Sequence, residues 1–211
     1  MALRIAFGYK MGTGKDTACS YLITKFGGHT LRFSEPLYKI MSYAQDICNL
    51  EKRKDRKFLQ LVGTEWGRST DPDIWLNLLL DKASHCCYKK QNLYLSDLRF
   101  PNELYRLKKE GWICVRIDRN VTSISTDRSG TGSVSHSSES SLDQVPDKDW
   151  DFILQNNDSF DDFYSSLYKL YDDLMKSKVD SLTPSKSTLK LECTENHTDL
   201  LLEKDWIEGE T

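Results

Sequence analysis

The ten residues Gly8-Tyr9-Lys10-Met11-Gly12-Thr13-Gly14-Lys15-Asp16-Thr17 constrain this chain more than any others, because of what flanks them. The apolar run Leu3 to Phe7 reads as a strand that ends in Gly8, and Asp16 to Phe26 carries a helical pattern, so the turn joins a strand to a helix. Glycines there let the backbone wrap closely around an anion with N–H groups turned toward it, and the helix amino terminus adds positive potential. Lys15 is spaced to reach bridging and terminal phosphate oxygens. The pattern therefore predicts a triphosphate cradle built from Gly8, Gly12, Thr13, Gly14, Lys15, Asp16 and Thr17. It departs from G-x-x-x-x-G-K-[ST] twice: Tyr9 stands where the first glycine belongs, and Asp16 replaces the metal-binding hydroxyl residue. We expect Gly8 to serve the turn one residue early. Magnesium accepts hard oxygen ligands, so Asp16 through a water, or the Thr17 hydroxyl, is expected to hold it.

The rest of the chain alternates strand and helix signals. Strands are expected at Leu31-Arg32-Phe33, Leu93 to Asp97, Trp112 to Ile117 and Asp151 to Leu154; helices at Pro36 to Asn49, Lys52 to Arg68, Ile74 to Tyr88, Asn102 to Glu110 and Asp161 to Lys176. That order predicts an α/β fold, a three-layer doubly wound parallel sheet of P-loop NTPase type. Between Asn120 and Ser141 the chain is dominated by Ser, Thr and Gly, too polar to pack alone, and reads as a mobile loop or lid, about 119–143. The folded P-loop domain is thus expected over 1–176, followed by a polar, poorly ordered tail over 177–211.

Charge and cysteines narrow the partners. A formal charge of -3 gives no global attraction for a nucleic-acid polymer, so basic clusters must bind any anion locally. No apolar run approaches the roughly 18 residues that span a bilayer, and Met1-Ala2-Leu3-Arg4 enters a strand rather than a signal peptide, which predicts a cytoplasmic protein without a membrane partner. The six cysteines show no C-x-x-C spacing and read as reduced, structural thiols; His85 beside Cys86 and Cys87 makes an improbable zinc site.

A second constellation, Ser96-Asp97-Leu98-Arg99-Phe100-Pro101-Asn102-Glu103, follows a buried strand and so sits at the carboxyl edge of the sheet, where such folds bind ligands. Asp97 there either reaches the magnesium shell or caps the next helix, and Arg99 offers a fork of donors to a phosphate.

These two segments, together with Gly63-Thr64-Glu65-Trp66-Gly67-Arg68, Asp71-Pro72-Asp73-Ile74-Trp75 and His136-Ser137-Ser138-Glu139-Ser140-Ser141-Leu142-Asp143, resemble the deoxynucleoside monophosphate kinases of phages and large DNA viruses. The resemblance covers roughly Leu3 to Leu174 and implies a nucleoside monophosphate kinase-like P-loop fold, ATP and Mg2+ as cosubstrates and a deoxynucleoside monophosphate, a small nucleotide, as acceptor; it leaves open whether the chain forms a homodimer. Residue by residue, Lys15 resembles the loop lysine, and Phe33-Ser34-Glu35-Pro36-Leu37 an acceptor-site segment, with Lys39 one place beyond the family's lysine. Glu65, Trp66 and Arg68 resemble the acceptor block, where a ring stacks on a base and an arginine pairs with the monophosphate; core packing is the competing role for Trp66. Arg119 and Arg128 are the lid candidates for neutralising the transferring phosphoryl group, against a role as solvated loop charges, and His136 and Glu139 are candidates for closing the lid.

Two competing functions share part of this pattern. Animal-type phosphomevalonate kinases resemble the chain in the G-K-D loop, the acid-x-arginine strand end and the Ser-Glu-x-x-Leu-Asp block, whereas the Gly63 to Arg68 block favours a nucleotide acceptor. The altered residue after Lys15 also fits a catalytically silent nucleotide-binding module.

Overall fold

A computed structural model describes residues 2–85, 90–120 and 140–180. Five parallel strands, β1 (Arg4–Gly8), β2 (His29–Leu31), β3 (Leu93–Leu98), β4 (Ile113–Asp118) and β5 (Phe152–Gln155), form one sheet in the order β2-β3-β1-β4-β5. β1 and β3 are almost wholly buried, as expected of strands covered on both faces. The helices are α1 (Lys15–Phe26), α2 (Glu35–Ile47), α3 (Arg56–Gln60), α4 (Ile74–Ser84), α5 (Pro101–Lys109) and α6 (Phe160–Asp180).

Apolar side chains on each face of the sheet make a separate core. On one face Ile5, Phe7, Tyr94 and Val115 pack with Ala18 and Leu22 of α1 and Phe163 and Leu167 of α6. Stacked rings, Tyr21 on Tyr164 at 4.6 Å and Phe26 on Tyr171 at 3.7 Å, join those two helices. On the other face Ala6, Leu95 and Leu98 pack with Leu37, Trp75, Leu79, Leu104 and Trp150. The predicted three layers are therefore present. From β1 the chain crosses to one side of the sheet, and from β3 to the other. β1 and β3 are neighbours, with Gly8 opposite Leu98, so a crevice opens at their carboxyl ends.

Several boundaries move. The second strand lies at His29–Leu31, so Phe33 falls in the loop after it. The basic helix starts at Arg56, capped by Asp55 accepting from the Phe58 N–H at 3.0 Å, and at Leu61 widens into a π-helix that runs to Arg68. α4 ends at Ser84 rather than Tyr88. α6 continues past the expected end at Lys176 to Asp180, where Lys178 donates to the Ala2 carbonyl. Among the described residues no helix is long and apolar enough to cross a membrane, and no cluster of His, Cys, Asp and Glu is arranged to hold a metal. Cys19 and Cys114 are free and buried, and burial pushes both thiols up, Cys114 to about 12.

Candidate active site

The first wall of the crevice is backbone. Tyr9, Gly12 and Gly14 all take left-handed conformations, with φ of 97°, 78° and 103°. The tight turn is therefore made by Tyr9 itself and not by Gly8, which remains the last residue of β1. Gly8 is needed for another reason: a Cβ there would lie 2.6 Å from the Trp150 ring. A left-handed aromatic residue is strained by about 1–3 kcal/mol, a cost that surrounding contacts must hold in place. Lys15, buried at the start of α1, donates its ammonium to the carbonyls of Tyr9 (3.0 Å) and Lys10. The Thr13 hydroxyl, 3.4 Å from that ammonium, donates to the Lys10 carbonyl. Asn156, just past β5, donates from Nδ2 to the Thr13 carbonyl at 2.8 Å and crowds Gly14, where a Cβ would meet Nδ2 at 2.5 Å.

Asp16 and Thr17 occupy the first turn of α1. The Asp16 side chain is 75% exposed, and its Oδ1 accepts from Arg32 (2.9 Å) and from the Ser96 hydroxyl (2.7 Å), which fastens the helix to the end of β3. One exposed carboxylate and one hydroxyl beside a phosphate loop suit Mg2+, which keeps several waters and takes most of its other ligands from phosphates.

The second wall is side chain. Asp97 does not cap the following helix: its Oδ1 accepts from the Phe33 N–H (3.1 Å), and its Oδ2 from the Ser34 N–H (3.0 Å) and hydroxyl (2.8 Å). Burial pushes its pKa up, against the pull of those hydrogen bonds and of the Arg99 charge. Asp97 thus ties the loop ahead of α2 to the sheet edge. The Phe33 ring lies in the core at 3% exposure, and its backbone N–H is the group that reaches Asp97. Lys39 sits on the outer face of α2, paired with Glu35 at 3.0 Å.

Arg68 and Glu103 form the buried centre of this wall. Arg68 Nη2 donates to Glu103 Oε1 at 2.6 Å, Nη1 donates to the Gly63 carbonyl at 2.8 Å, and the guanidinium lies 4.1 Å over the Phe100 ring. Its Nε is buried without a hydrogen-bond partner. Glu103 Oε2 accepts the N–H groups of Arg99 and Phe100, so the third residue of α5 reaches back to cap its own helix. Burial pushes Glu103 up, opposed chiefly by the Arg68 charge. The π-helix puts Glu65 and Trp66 outside: the indole is 55% exposed, so the core role is taken instead by Trp75, which packs on Gly67 and donates to the Gly63 carbonyl at 2.8 Å. Arg119 is exposed just beyond β4. Arg128, His136 and Glu139 lie outside the described residues.

Sequence reasoning missed Asn156, Glu103 and Arg116 as site residues. Polar Asn156-Asn157-Asp158 directly after the last strand, and an arginine inside the apolar run Ile113-Cys114-Val115-Arg116-Ile117, were the available signals.

A five-stranded parallel sheet with the order 2-3-1-4-5, its central strand feeding a lysine-bearing loop, has the arrangement of the P-loop kinase fold. No family model matches the chain. It is 31% identical over 147 residues, 68% of its length, to "Uncharacterized protein ORF77" of Ictalurid herpesvirus 1 (strain Auburn), and spans 60% of that protein. It is 29% identical over 192 residues to a protein of Acanthamoeba polyphaga mimivirus described as "Putative deoxynucleotide monophosphate kinase", covering 76% of the chain and 92% of the relative. Among solved structures, dephospho-CoA kinase from Campylobacter jejuni superposes with a TM-score of 0.50 at 16% identity, over 84% of this chain and 100% of that one. The chain has the fold of the P-loop kinases, and its sequence is similar to that of the mimivirus protein described as a deoxynucleotide monophosphate kinase.

Proposed function

We propose that the chain transfers the terminal phosphoryl group of ATP to a deoxynucleoside monophosphate, with Mg2+, yielding ADP and a deoxynucleoside diphosphate inside the cell. One observation carries the reading: the Lys15 loop follows β1 and the Arg68–Glu103 pair lies against the segment that follows β3, at the carboxyl ends of two neighbouring strands. The mimivirus relative supports the choice of acceptor.

In this mechanism the backbone N–H groups of the loop and Lys15 hold the polyphosphate of ATP, and Asp16 with Thr17 would hold Mg2+, which supplies charge neutralisation on the phosphates. Glu103 fixes Arg68, whose second Nη1 and Nη2 hydrogens are the ones offered to the acceptor phosphate. Trp66 offers a face for the base, and Arg99 a second cation. No general base is needed: a phosphate monoester, with a second pKa of about 6, is already largely dianionic near neutral pH. Arg119 and Arg128 are the candidates for covering the charge that develops in flight.

A coupled ADP-release assay across ribo- and deoxynucleoside monophosphates, with phosphomevalonate alongside, tests the reading. Release dependent on a deoxynucleoside monophosphate is expected. Release with phosphomevalonate, or ATP binding without transfer to any nucleotide, would replace it with one of the two competing functions.

A further inference from the structure

Tyr9 occupies the position where a phosphate loop ordinarily uses glycine, at a φ of 97° that a bulky residue adopts only when something holds it there. What holds it is visible. The Arg116 guanidinium lies 4.2 Å from the centre of the Tyr9 ring, and the Lys10 ammonium lies 5.2 Å from it. Arg116 is itself fixed at both ends: Nε donates to Asp118 Oδ1 at 2.6 Å and Nη1 to Asp147 Oδ1 at 2.7 Å, while Lys10 pairs with Asp143 at 3.5 Å. The Tyr9 ring also packs against the core cluster that contains Leu142, Val145 and Trp150. The other end of the residue is the functional one, since the Tyr9 carbonyl accepts from Lys15 Nζ. A cation on β4 thus reaches the loop lysine through a single residue.

We infer that Arg116 is a positioning residue for nucleotide binding: by stacking on Tyr9 it holds the loop in its left-handed turn and so sets where Lys15 stands. The planar, delocalised guanidinium is suited to this, because it stacks flat on a ring while its edge bonds to two carboxylates; a lysine can keep the charge but not the stack. The inference rests on the reading of the loop as the ATP site. It predicts a particular coupling. In a chain with glycine at position 9 the turn needs no brace, so Arg116 should cease to matter.

The test is ATP and ADP affinity by titration calorimetry, with KM and kcat alongside, for wild type, Arg116→Ala, Arg116→Lys, Tyr9→Gly and the double variant Tyr9→Gly/Arg116→Ala. Arg116→Ala is expected to weaken ATP binding about tenfold with kcat at saturating ATP within about twofold, the scale of one desolvated cation–ring contact. Arg116→Lys, which retains the ion pairs and guards against a folding defect, should resemble Arg116→Ala. Tyr9→Gly should bind nearly as wild type, and adding Arg116→Ala to it should change affinity by less than about twofold. Equal losses in both backgrounds, or no loss in either, would overturn the inference while leaving the kinase reading intact. A wild-type chain that binds neither ATP nor ADP would overturn both.

Discussion

The two walls of the crevice are built from different materials. On the donor side the binding groups are backbone, held by left-handed residues and by clamps at Asn156 and Arg116. On the acceptor side they are side chains, with Glu103 buried, Asp97 half-buried and every carboxylate oxygen of the pair accepting a hydrogen bond. The first kind of wall depends on conformation and the second on a few ionised groups, so substitutions should separate them: loss of a carboxylate from the acceptor wall should chiefly destabilise the protein, whereas loss of the lysine from the donor wall should chiefly silence it.

The largest effect is expected at Glu103. Glu103→Ala leaves Arg68 buried beside an unfilled space and strips the Arg99 and Phe100 N–H groups of their acceptor, at a cost of about 3–5 kcal/mol by thermal or urea unfolding. Lys15→Ala should lower kcat/KM by about 10²–10³-fold, as loss of one preorganised donor does, with a melting temperature close to wild type. Asn156→Ala removes the donor to the buried Thr13 carbonyl and should cost about 1–3 kcal/mol of stability and weaken ATP binding, a sign that the backbone wall too has one side chain it cannot spare. Trp66→Ala, at an exposed position, should raise the KM for the acceptor by the equivalent of about 1–3 kcal/mol with unfolding unchanged. The smallest effect concerns Glu35, whose pKa is drawn below its ordinary 4.5 by hydrogen bonds from Lys82 and then Lys39. Its contribution to stability is therefore present above that value and lost as pH falls through the lowered one; Glu35→Gln should flatten the acid limb of a melting-temperature profile.

The donor wall was the more legible in sequence. A strand, a glycine-rich turn and Lys15 are contiguous, so their meaning survives without tertiary knowledge. Even so, the sequence pattern alone pointed to Gly8 for the turn, because a left-handed tyrosine is disfavoured unless a distant arginine braces it. The acceptor wall was harder, because its chemistry is shared between residues far apart in the chain. Arg68 pairs with Glu103 and Asp97 with Ser34, and neither separation is periodic. Phe33 was misplaced for a related reason: the second strand ends two residues earlier than its apolar pattern suggests, at Leu31, and the ring then turns into the core. Of the two roles open to Trp66, core packing is taken by Trp75 instead, because a π-helix rotates the side chains of Leu61–Arg68 away from ordinary helical spacing.

The central claim is that both walls serve one reaction. A bisubstrate compound, adenosine joined through a polyphosphate to a deoxynucleoside, spans them and can be titrated into wild type, Lys15→Ala and Trp66→Ala. It should bind at least about a hundredfold more tightly than ATP alone, with each variant weakening it, as linked ligands do when their sites face one another. Binding no tighter than ATP, or indifference to Trp66→Ala, would contradict the account.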